Sequence, residues 1–113
     1  MKRETGSNYL HGVPELLILR LLKEREMYGY ELVQAIRTAT GEAIALGEGV
    51  VYPMLHLLER EGALRSRRQT VAGRSRIYYS LTPAGDQRLA RAADAWTRIA
   101  HAVGLVLGGP ARA

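Results

Sequence analysis

The fold is decided by residues 50–81, which read VVYPMLHLLEREGALRSRRQTVAGRSRIYYSL. The apolar residues of its first third recur at helical spacing: Val51, Met54, Leu55 and Leu58. Residues 64–69 and 76–81 then flank Ala72-Gly73, and the second segment alternates residues that favour strands. The stretch therefore predicts a helix over 50–60 that is followed by a β-hairpin.

Two further helices are predicted before this stretch. Pro14 suits a first helical turn, and apolar residues at helical spacing predict a helix over about 13–25. Met27-Tyr28-Gly29 interrupts the pattern, and a second helix is predicted over about 29–39. Residues 43–46 are apolar but too few for a helix, so they form either a short strand or an extended link.

A long final helix is predicted over 83–107, because Thr82 is a good N-cap and Pro83 a good first helical residue. Its apolar positions alternate by three and four residues, which is the spacing of a coiled-coil seam: Leu89, Ala92, Trp96, Ile99, Val103 and Val106. Three short helices of the same chain cannot cover such a stripe. We therefore expect a second copy of the chain to cover it, in a homodimer.

These elements together predict a mainly α fold with a small β-hairpin, namely a winged helix-turn-helix followed by a long C-terminal dimerisation helix. The length of 113 residues suits one compact core. We assign residues 1–82 to the winged-helix domain and residues 83–108 to the dimerisation helix. Residues 109–113 are expected to form a disordered tail.

Positive charge is concentrated on the predicted hairpin. The net charge of the chain is +5, and residues 65–76 contain five arginines and no acid. Such a local field indicates an anionic partner, and nucleic acid fits better than an anionic membrane surface. In a winged helix, the hairpin reaches the phosphate backbone or the minor groove while the preceding helix enters the major groove. The alternative is a solvated loop, and Arg65 is the weakest candidate for a DNA contact.

The candidate DNA contacts come from three predicted elements. They are Tyr28 at the start of the second helix, Gly49, Val50, Tyr52, Pro53 and His56 on the third helix, and Arg67, Arg68, Arg74 and Arg76 on the hairpin. Tyr52 is alternatively an aromatic residue at the edge of the core. We expect Tyr30 to pack on the core. One ring of the pair Tyr78 and Tyr79 should face inward, since side chains alternate along a strand.

Other classes of protein fit the sequence poorly. The chain has no cysteine, which excludes disulfides, thiolate zinc sites and thiol catalysis. The histidines at 11, 56 and 101 are far apart, and no phosphate-binding glycine loop or nucleophile elbow is present. We therefore expect no enzyme, no metal and no cofactor. No apolar run approaches the ~18 residues of a membrane span, so we expect a cytoplasmic protein.

Five motifs in order resemble those of the PadR family of transcriptional regulators. They are YGYEL at 28–32, GVVYPML at 49–55, LEREG at 58–62, GRSRIYY at 73–79 and LTPAG at 81–85. The resemblance covers about residues 10–90. It implies a winged helix, a two-fold dimer built largely by the C-terminal helix, and repression that a small molecule relieves. The single terminal helix resembles the short-tailed members of the family.

Two residues depart from the family pattern. Val50 replaces a usual threonine, and Ile77 replaces a residue that is often basic. Both changes remove groups that contact phosphate, although a valine can touch a thymine methyl group. We therefore expect the arginines of the hairpin to contribute more of the DNA affinity than the recognition helix does.

Trp96 has two interpretations. Its ring either fills the dimer core, or two copies of it border a slot for a planar aromatic effector. The small residues around it would leave room for such a ligand: Ala92, Ala93, Ala95 and Ala100. The leading hypothesis is a repressor that binds a pseudo-palindromic operator with half-site centres about 34 Å apart. The alternative is a winged-helix module for protein or membrane-surface contact.

Overall fold

The structure is a computed structural model that describes the backbone of residues 5–108 and the side chains of residues 12–108. This part of the chain forms the helices α1 (Thr5–Glu24), α2 (Gly29–Ala39), α3 (Glu48–Arg60) and α4 (Pro83–Leu107). The strands are β1 (Met27–Tyr28), β2 (Leu64–Val71) and β3 (Arg74–Leu81). The predicted mainly helical fold with a hairpin after the third helix is confirmed. The predicted tail at 109–113 lies outside the described residues.

One apolar core holds α1, α2, α3 and the base of the sheet together. Its most deeply buried side chains are Ile18, Leu19, Leu32, Ile36, Val51, Leu55 and Leu58. Among the described residues, no polar or charged residue is fully buried. Each such aliphatic side chain contributes roughly 1.5–3 kcal/mol when it leaves water, so burial of apolar surface is the main stabilising force.

The first helix is longer than the sequence predicts. It begins at Thr5 rather than at residue 13, and Pro14 lies inside it instead of in its first turn. Proline lacks the N–H that an interior helical position donates, which is why the sequence predicts that the helix begins just before Pro14. The predicted start of α1 was therefore wrong, whereas the bounds predicted for α2 agree with the structure.

The short strand is not where the sequence placed it. Residues 43–46 form no strand, so of the two alternatives the extended link is the one observed. The additional strand is β1, which lies in the segment Met27-Tyr28-Gly29 that was interpreted as a break between two helices. In the antiparallel sheet, which has the order β1-β3-β2, Met27 pairs with Tyr79 and Tyr28 pairs with Tyr78. A two-residue strand is too short to show an alternating pattern, so only its pairing reveals it.

The hairpin of β2 and β3, which we call the wing, closes through a two-residue turn. Val71 pairs with Arg74, and the turn residues Ala72 and Gly73 have φ angles of 51° and 79°. Positive φ at both positions is what a type I′ turn requires, and such turns match the twist of the paired strands. The strands therefore continue to the turn, beyond the predicted segments 64–69 and 76–81.

The start of α4 is fastened to the end of α3. The Thr82 hydroxyl accepts a hydrogen bond from the Gly85 N–H at 3.0 Å and donates one to the Gly62 carbonyl at 2.6 Å. The predicted N-cap is thus confirmed. Gly85 is buried, and a Cβ at this position would overlap the carbonyl oxygen of Ala63. The first turn of α4 therefore lies directly against the junction between α3 and β2.

An ion-pair cluster adds a second attachment between these elements. Arg88 of α4 donates to both carboxylate oxygens of Glu15 in α1, at 2.7 and 3.0 Å. It also donates to Oε1 of Glu61, the C-cap residue of α3, at 2.7 Å. The hydrogen bonds that Arg88 donates to Glu15 and then to Glu61 raise the pKa of Arg88 above its ordinary value. The base of α4 is therefore held to both α1 and α3.

Candidate nucleic-acid interface

A concave surface lies between the start of α2, α3 and the wing. It has a volume of about 680 Å³ and is lined by Tyr28, Tyr30, Tyr52, Arg74, Ser75 and Arg76. We call this surface the basic groove. Phenol hydroxyls and guanidinium groups are hydrogen-bond donors, and guanidinium pairs with phosphate through charge-assisted bonds. The groove therefore has the chemistry to bind the backbone of a nucleic acid.

Aromatic rings brace the wing against the start of α2. The rings of Tyr28 and Tyr78 meet edge to face, with centroids 5.4 Å apart. The guanidinium of Arg76 lies 4.4 Å from the centroid of the Tyr28 ring, and that of Arg67 lies 5.2 Å from the Tyr78 centroid. Such cation–π contacts are worth roughly 0.5–1 kcal/mol at exposed sites. They hold Arg76 at the basic groove.

Tyr52 lies at the boundary between the core and the basic groove. It is half-buried, packs against the core and also lines the basic groove. Gly29 makes this possible, because a Cβ at Gly29 would collide with the Tyr52 ring. Burial, and then the nearby Glu48 carboxylate, raise the pKa of Tyr52. Its hydroxyl therefore stays protonated at neutral pH and can donate a hydrogen bond to a phosphate oxygen.

The side of α3 that faces away from the core is exposed as the sequence predicts. Val50 retains 44% of its accessible surface, and the other exposed candidates on this helix are Gly49, Pro53 and His56. Val51, Leu55 and Leu58 are buried on the opposite side. The exposed side of α3 therefore adjoins the basic groove through Tyr52, and both belong to one continuous candidate interface.

The structure separates the four wing arginines into two groups. Arg74 and Arg76 line the basic groove. Arg67 instead forms an ion pair with Glu26, and Arg68 donates to the Ser75 hydroxyl at 2.9 Å. Cross-strand partners share a face of the sheet, so Arg68 lies on the same face as Ile77, opposite the face of Arg67 and Arg76. The groove therefore contains two of the four predicted wing arginines.

Tyr30 does not pack on the core, and that prediction was wrong. It is 51% exposed and lines the basic groove. The buried stripe of α2 is Gly29, Leu32, Val33 and Ile36, which follows helical spacing and leaves position 30 beside it. This helical spacing is the signal in the sequence that Tyr30 lies outside the buried stripe. Ser75 is a further groove residue that the sequence did not single out.

Of the two tyrosines on β3, Tyr79 faces inward. It is 4% exposed and belongs to the core, and its burial raises the pKa of its hydroxyl. Tyr78 lies on the other face, against Tyr28. The prediction that one ring of this pair faces inward is therefore confirmed.

The far part of α4 carries an exposed apolar stripe. Trp96 is 47% exposed, Val103 51% and Val106 86%. Leu89 lies instead in the core of its own chain. We therefore define the α4 seam by the remaining stripe residues: Ala92, Trp96, Ile99, Val103 and Val106. The neighbouring small residues Ala93 and Ala100 are exposed as well.

A second cavity lies beside the α4 seam, between α1 and α4. Its volume is about 350 Å³, and it is lined by Gly12, Leu16, Ala92, Ala95, Trp96, Arg98 and Ile99. Its lining is mostly apolar, with one aromatic ring and one guanidinium. Arg98 forms an ion pair with Asp94. The cavity therefore suits an apolar or aromatic molecule better than a strongly charged one.

The described residues show two further features that bear on function. No group of three or more His, Cys, Asp or Glu residues among them could hold a metal ion. None of the described helices is long and apolar enough to cross a membrane.

The sequence matches a family of known proteins. Residues 18–91 match the model of the family described as transcriptional regulator PadR-like. A transcriptional regulator of Mycobacterium tuberculosis is 35% identical over 94 residues, which are 83% of this chain and 82% of that protein.

Solved structures share the fold. A transcriptional regulator from Clostridium thermocellum superposes with a TM-score of 0.78 at 28% identity, over 85% of this chain and 94% of the other. Bacillus subtilis PadR, solved in complex with operator DNA, gives a TM-score of 0.65 at 28% identity, over 70% of this chain and 45% of the other.

Proposed function

The chain belongs to the PadR-like family of transcriptional regulators, and on that premise we propose that it is a homodimeric repressor of transcription. In this proposal the dimer binds a pseudo-palindromic operator, and a small planar aromatic effector releases it. The family is one of regulators rather than enzymes. A repressor acts at the chromosome, so the cytoplasmic location expected from the sequence goes with this function.

The basic groove is the observation that carries the proposal. Arg74, Arg76 and three tyrosines line one concavity next to the exposed side of α3. With α3 in the major groove of DNA, the basic groove would receive the adjacent phosphates. The complex of the Bacillus subtilis relative with operator DNA supports operator DNA as the ligand of this fold.

We divide the proposed DNA contacts between the wing and α3 according to their side chains. Val50 is an exposed apolar residue on α3, suited to a thymine methyl group rather than to a phosphate. The charged donors of the groove come from the wing. We therefore assign most of the electrostatic affinity to Arg74 and Arg76, and base recognition to the exposed side of α3.

The α4 seam supports the homodimer. Its exposed residues follow the alternation of three and four that places one face of a helix against a partner helix. A second copy offers the same stripe, so a two-fold pairing of α4 helices would cover both. Such a dimer would place two α3 helices in successive major grooves, about 34 Å apart.

The cavity between α1 and α4 supports release by an effector. It adjoins the α4 seam, and Trp96 belongs to both. In the proposed dimer two such rings lie near the two-fold axis, where they would border a planar ligand. Aromatic rings bind one another in offset-stacked or edge-to-face arrangements, which favours planar aromatic compounds as the effector class.

The deciding experiment is a salt titration of DNA binding. A duplex selected from a random library is titrated with wild-type protein by fluorescence anisotropy at several salt concentrations. We expect log affinity to fall linearly with log salt. Arg74→Ala and Arg76→Ala should each make that slope shallower by about 1.8, because each substitution removes one phosphate contact from both protomers of the dimer. Arg20→Ala is the matched control, because Arg20 pairs with Glu24 on the surface of α1 and lies outside the groove.

Two results would contradict the proposal. Affinity for duplex DNA that does not depend on salt would exclude the phosphate contacts. A protein that binds no selected duplex would favour the alternative, a winged-helix module for protein or membrane-surface contact.

A further inference from the structure

Arg67 is the wing arginine that meets an acid of its own chain. Its Nε donates to Oε1 of Glu26 at 3.0 Å, and its Nη2 donates to Oε2 of the same carboxylate. This fork-to-fork geometry is the strongest that a guanidinium forms with a carboxylate. Arg74 and Arg76, by contrast, line the basic groove.

The position of Arg67 on the wing makes this pairing relevant to DNA. Arg67 pairs across the strands with Tyr78, and Gln69 pairs with Arg76. Arg67 and Arg76 are therefore diagonal neighbours on one face, at a spacing of about 7–8 Å. The rings of Tyr78 and Tyr28 connect them in a row. Glu26 thus neutralises the arginine that would extend the charged face of the groove.

We propose that Glu26 limits the affinity of this protein for DNA of any sequence by keeping Arg67 from the phosphate backbone. The Glu26 carboxylate occupies the same guanidinium edge that a phosphate would use. The hydrogen bond from Arg67 lowers the pKa of Glu26, so the carboxylate stays ionised near neutral pH and the competition persists. This inference rests on the proposed DNA binding.

The expected effect is uniform across DNA sequences. Phosphate contacts carry no sequence information directly, so one more such contact strengthens binding to operator and non-operator duplexes alike. Freeing Arg67 should therefore raise affinity and steepen the salt dependence, while the ratio between operator and non-operator affinity stays unchanged.

The test compares Glu26→Gln with Glu24→Gln in the full-length protein. Glu24 lies two positions away, pairs with Arg20 and undergoes the same change of charge. We expect Glu26→Gln to steepen the slope of log affinity against log salt by about 1.8 more than the control does, because it frees Arg67 in both protomers of the dimer. Its gain in affinity over Glu24→Gln should then shrink roughly tenfold between 50 and 200 mM salt.

Combination with Arg67→Ala separates this mechanism from a general loss of negative charge. In the Arg67→Ala background, Glu26→Gln should strengthen binding no more than Glu24→Gln does. Glu26→Ala serves as a second variant, and thermal unfolding checks that each protein is folded.

Three results would overturn the inference. In the first, folded Glu26→Gln and Glu26→Ala bind no tighter than Glu24→Gln. In the second, Arg67→Ala alone makes the slope shallower by about 1.8, which would mean that Arg67 of both protomers already contacts phosphate. In the third, Glu26→Gln keeps its gain without Arg67. Wild-type protein that binds no duplex at all would instead refute the proposed function itself.

Discussion

At the scale of single residues, two glycines in first turns of helices have opposite surroundings. Gly85 lies in the first turn of α4, and a Cβ there would meet the Ala63 carbonyl oxygen and the Leu81 side chain. Gly49 lies in the first turn of α3, and a Cβ there would meet nothing within 4 Å. The same substitution therefore probes close backbone packing at one position and helix propensity at the other.

We predict that Gly85→Ala destabilises the protein by about 1–3 kcal/mol, because the added methyl group must displace backbone at the α3–β2 junction. Gly49→Ala is the matched control, and it should stabilise α3 by up to about 1 kcal/mol. Urea unfolding followed by circular dichroism measures both changes. Equal stability of the two variants would contradict the close packing at Gly85.

The role of the side chain at position 77 depends on the face of the wing on which it lies. Ile77 replaces a residue that is often basic in the family, and its side chain packs against the core. It pairs with Arg68 on the wing face opposite Arg76. Its side chain therefore packs inward and does not line the basic groove.

At the scale of secondary-structure elements, α4 has two parts with different surroundings. Its first turns are held by Thr82, Arg88 and the buried Leu89. Beyond them the helix borders α1 along the second cavity, at Ala92, Trp96 and Ile99, while Val103 and Val106 are exposed. This contrast explains why we assign the α4 seam, rather than the whole helix, to the dimer.

We predict that Val103→Asp dissociates the dimer. A carboxylate at the seam loses its hydration on pairing, and we expect the dissociation constant to rise about 100-fold or more. Leu105→Asp is the matched control, since Leu105 is 61% exposed but lies off the seam. Size-exclusion chromatography with light scattering should give Val103→Asp the monomer mass of 12.5 kDa. A wild-type protein of that mass would contradict the dimer.

At the scale of the whole molecule, the two candidate sites are joined through rigid contacts. The cavity that we propose for the effector is lined in part by α4, and the base of α4 is attached to the end of α3 by the Thr82–Gly62 and Arg88–Glu61 hydrogen bonds. A tilt of α4 caused by a ligand would therefore move α3 relative to its partner in the dimer. This is a physical route by which a ligand could weaken operator binding.

We predict that planar aromatic compounds of one to three fused rings quench the fluorescence of Trp96 and weaken DNA binding. Trp96 is the single tryptophan of the chain, so the signal reports on this cavity. Binding linkage requires that DNA weaken ligand affinity by the same factor as the ligand weakens DNA affinity. Ala95→Leu, which fills the cavity, should bind DNA yet lose the quenching. A compound that releases DNA without changing this fluorescence would contradict the site.

Much of the fold follows from local patterns in the sequence. The spacing of Leu32, Val33 and Ile36 predicts α2, Thr82-Pro83 predicts the start of α4, and Ala72-Gly73 predicts the turn of the wing. These features depend on backbone hydrogen bonds and side chains within a few residues, which is why sequence suffices. The ordered motifs likewise indicate the family.

The tertiary structure decided what depends on distant residues. It formed β1 by pairing Met27 with Tyr79, placed Tyr30 in the basic groove, and paired Arg67 with Glu26. Each outcome depends on strand register and on the packing of one element against another. The sequence alone therefore determined the family, the order of α2, α3, wing and α4, and the presence of a basic wing. Only packing determined which arginines of that wing line the basic groove.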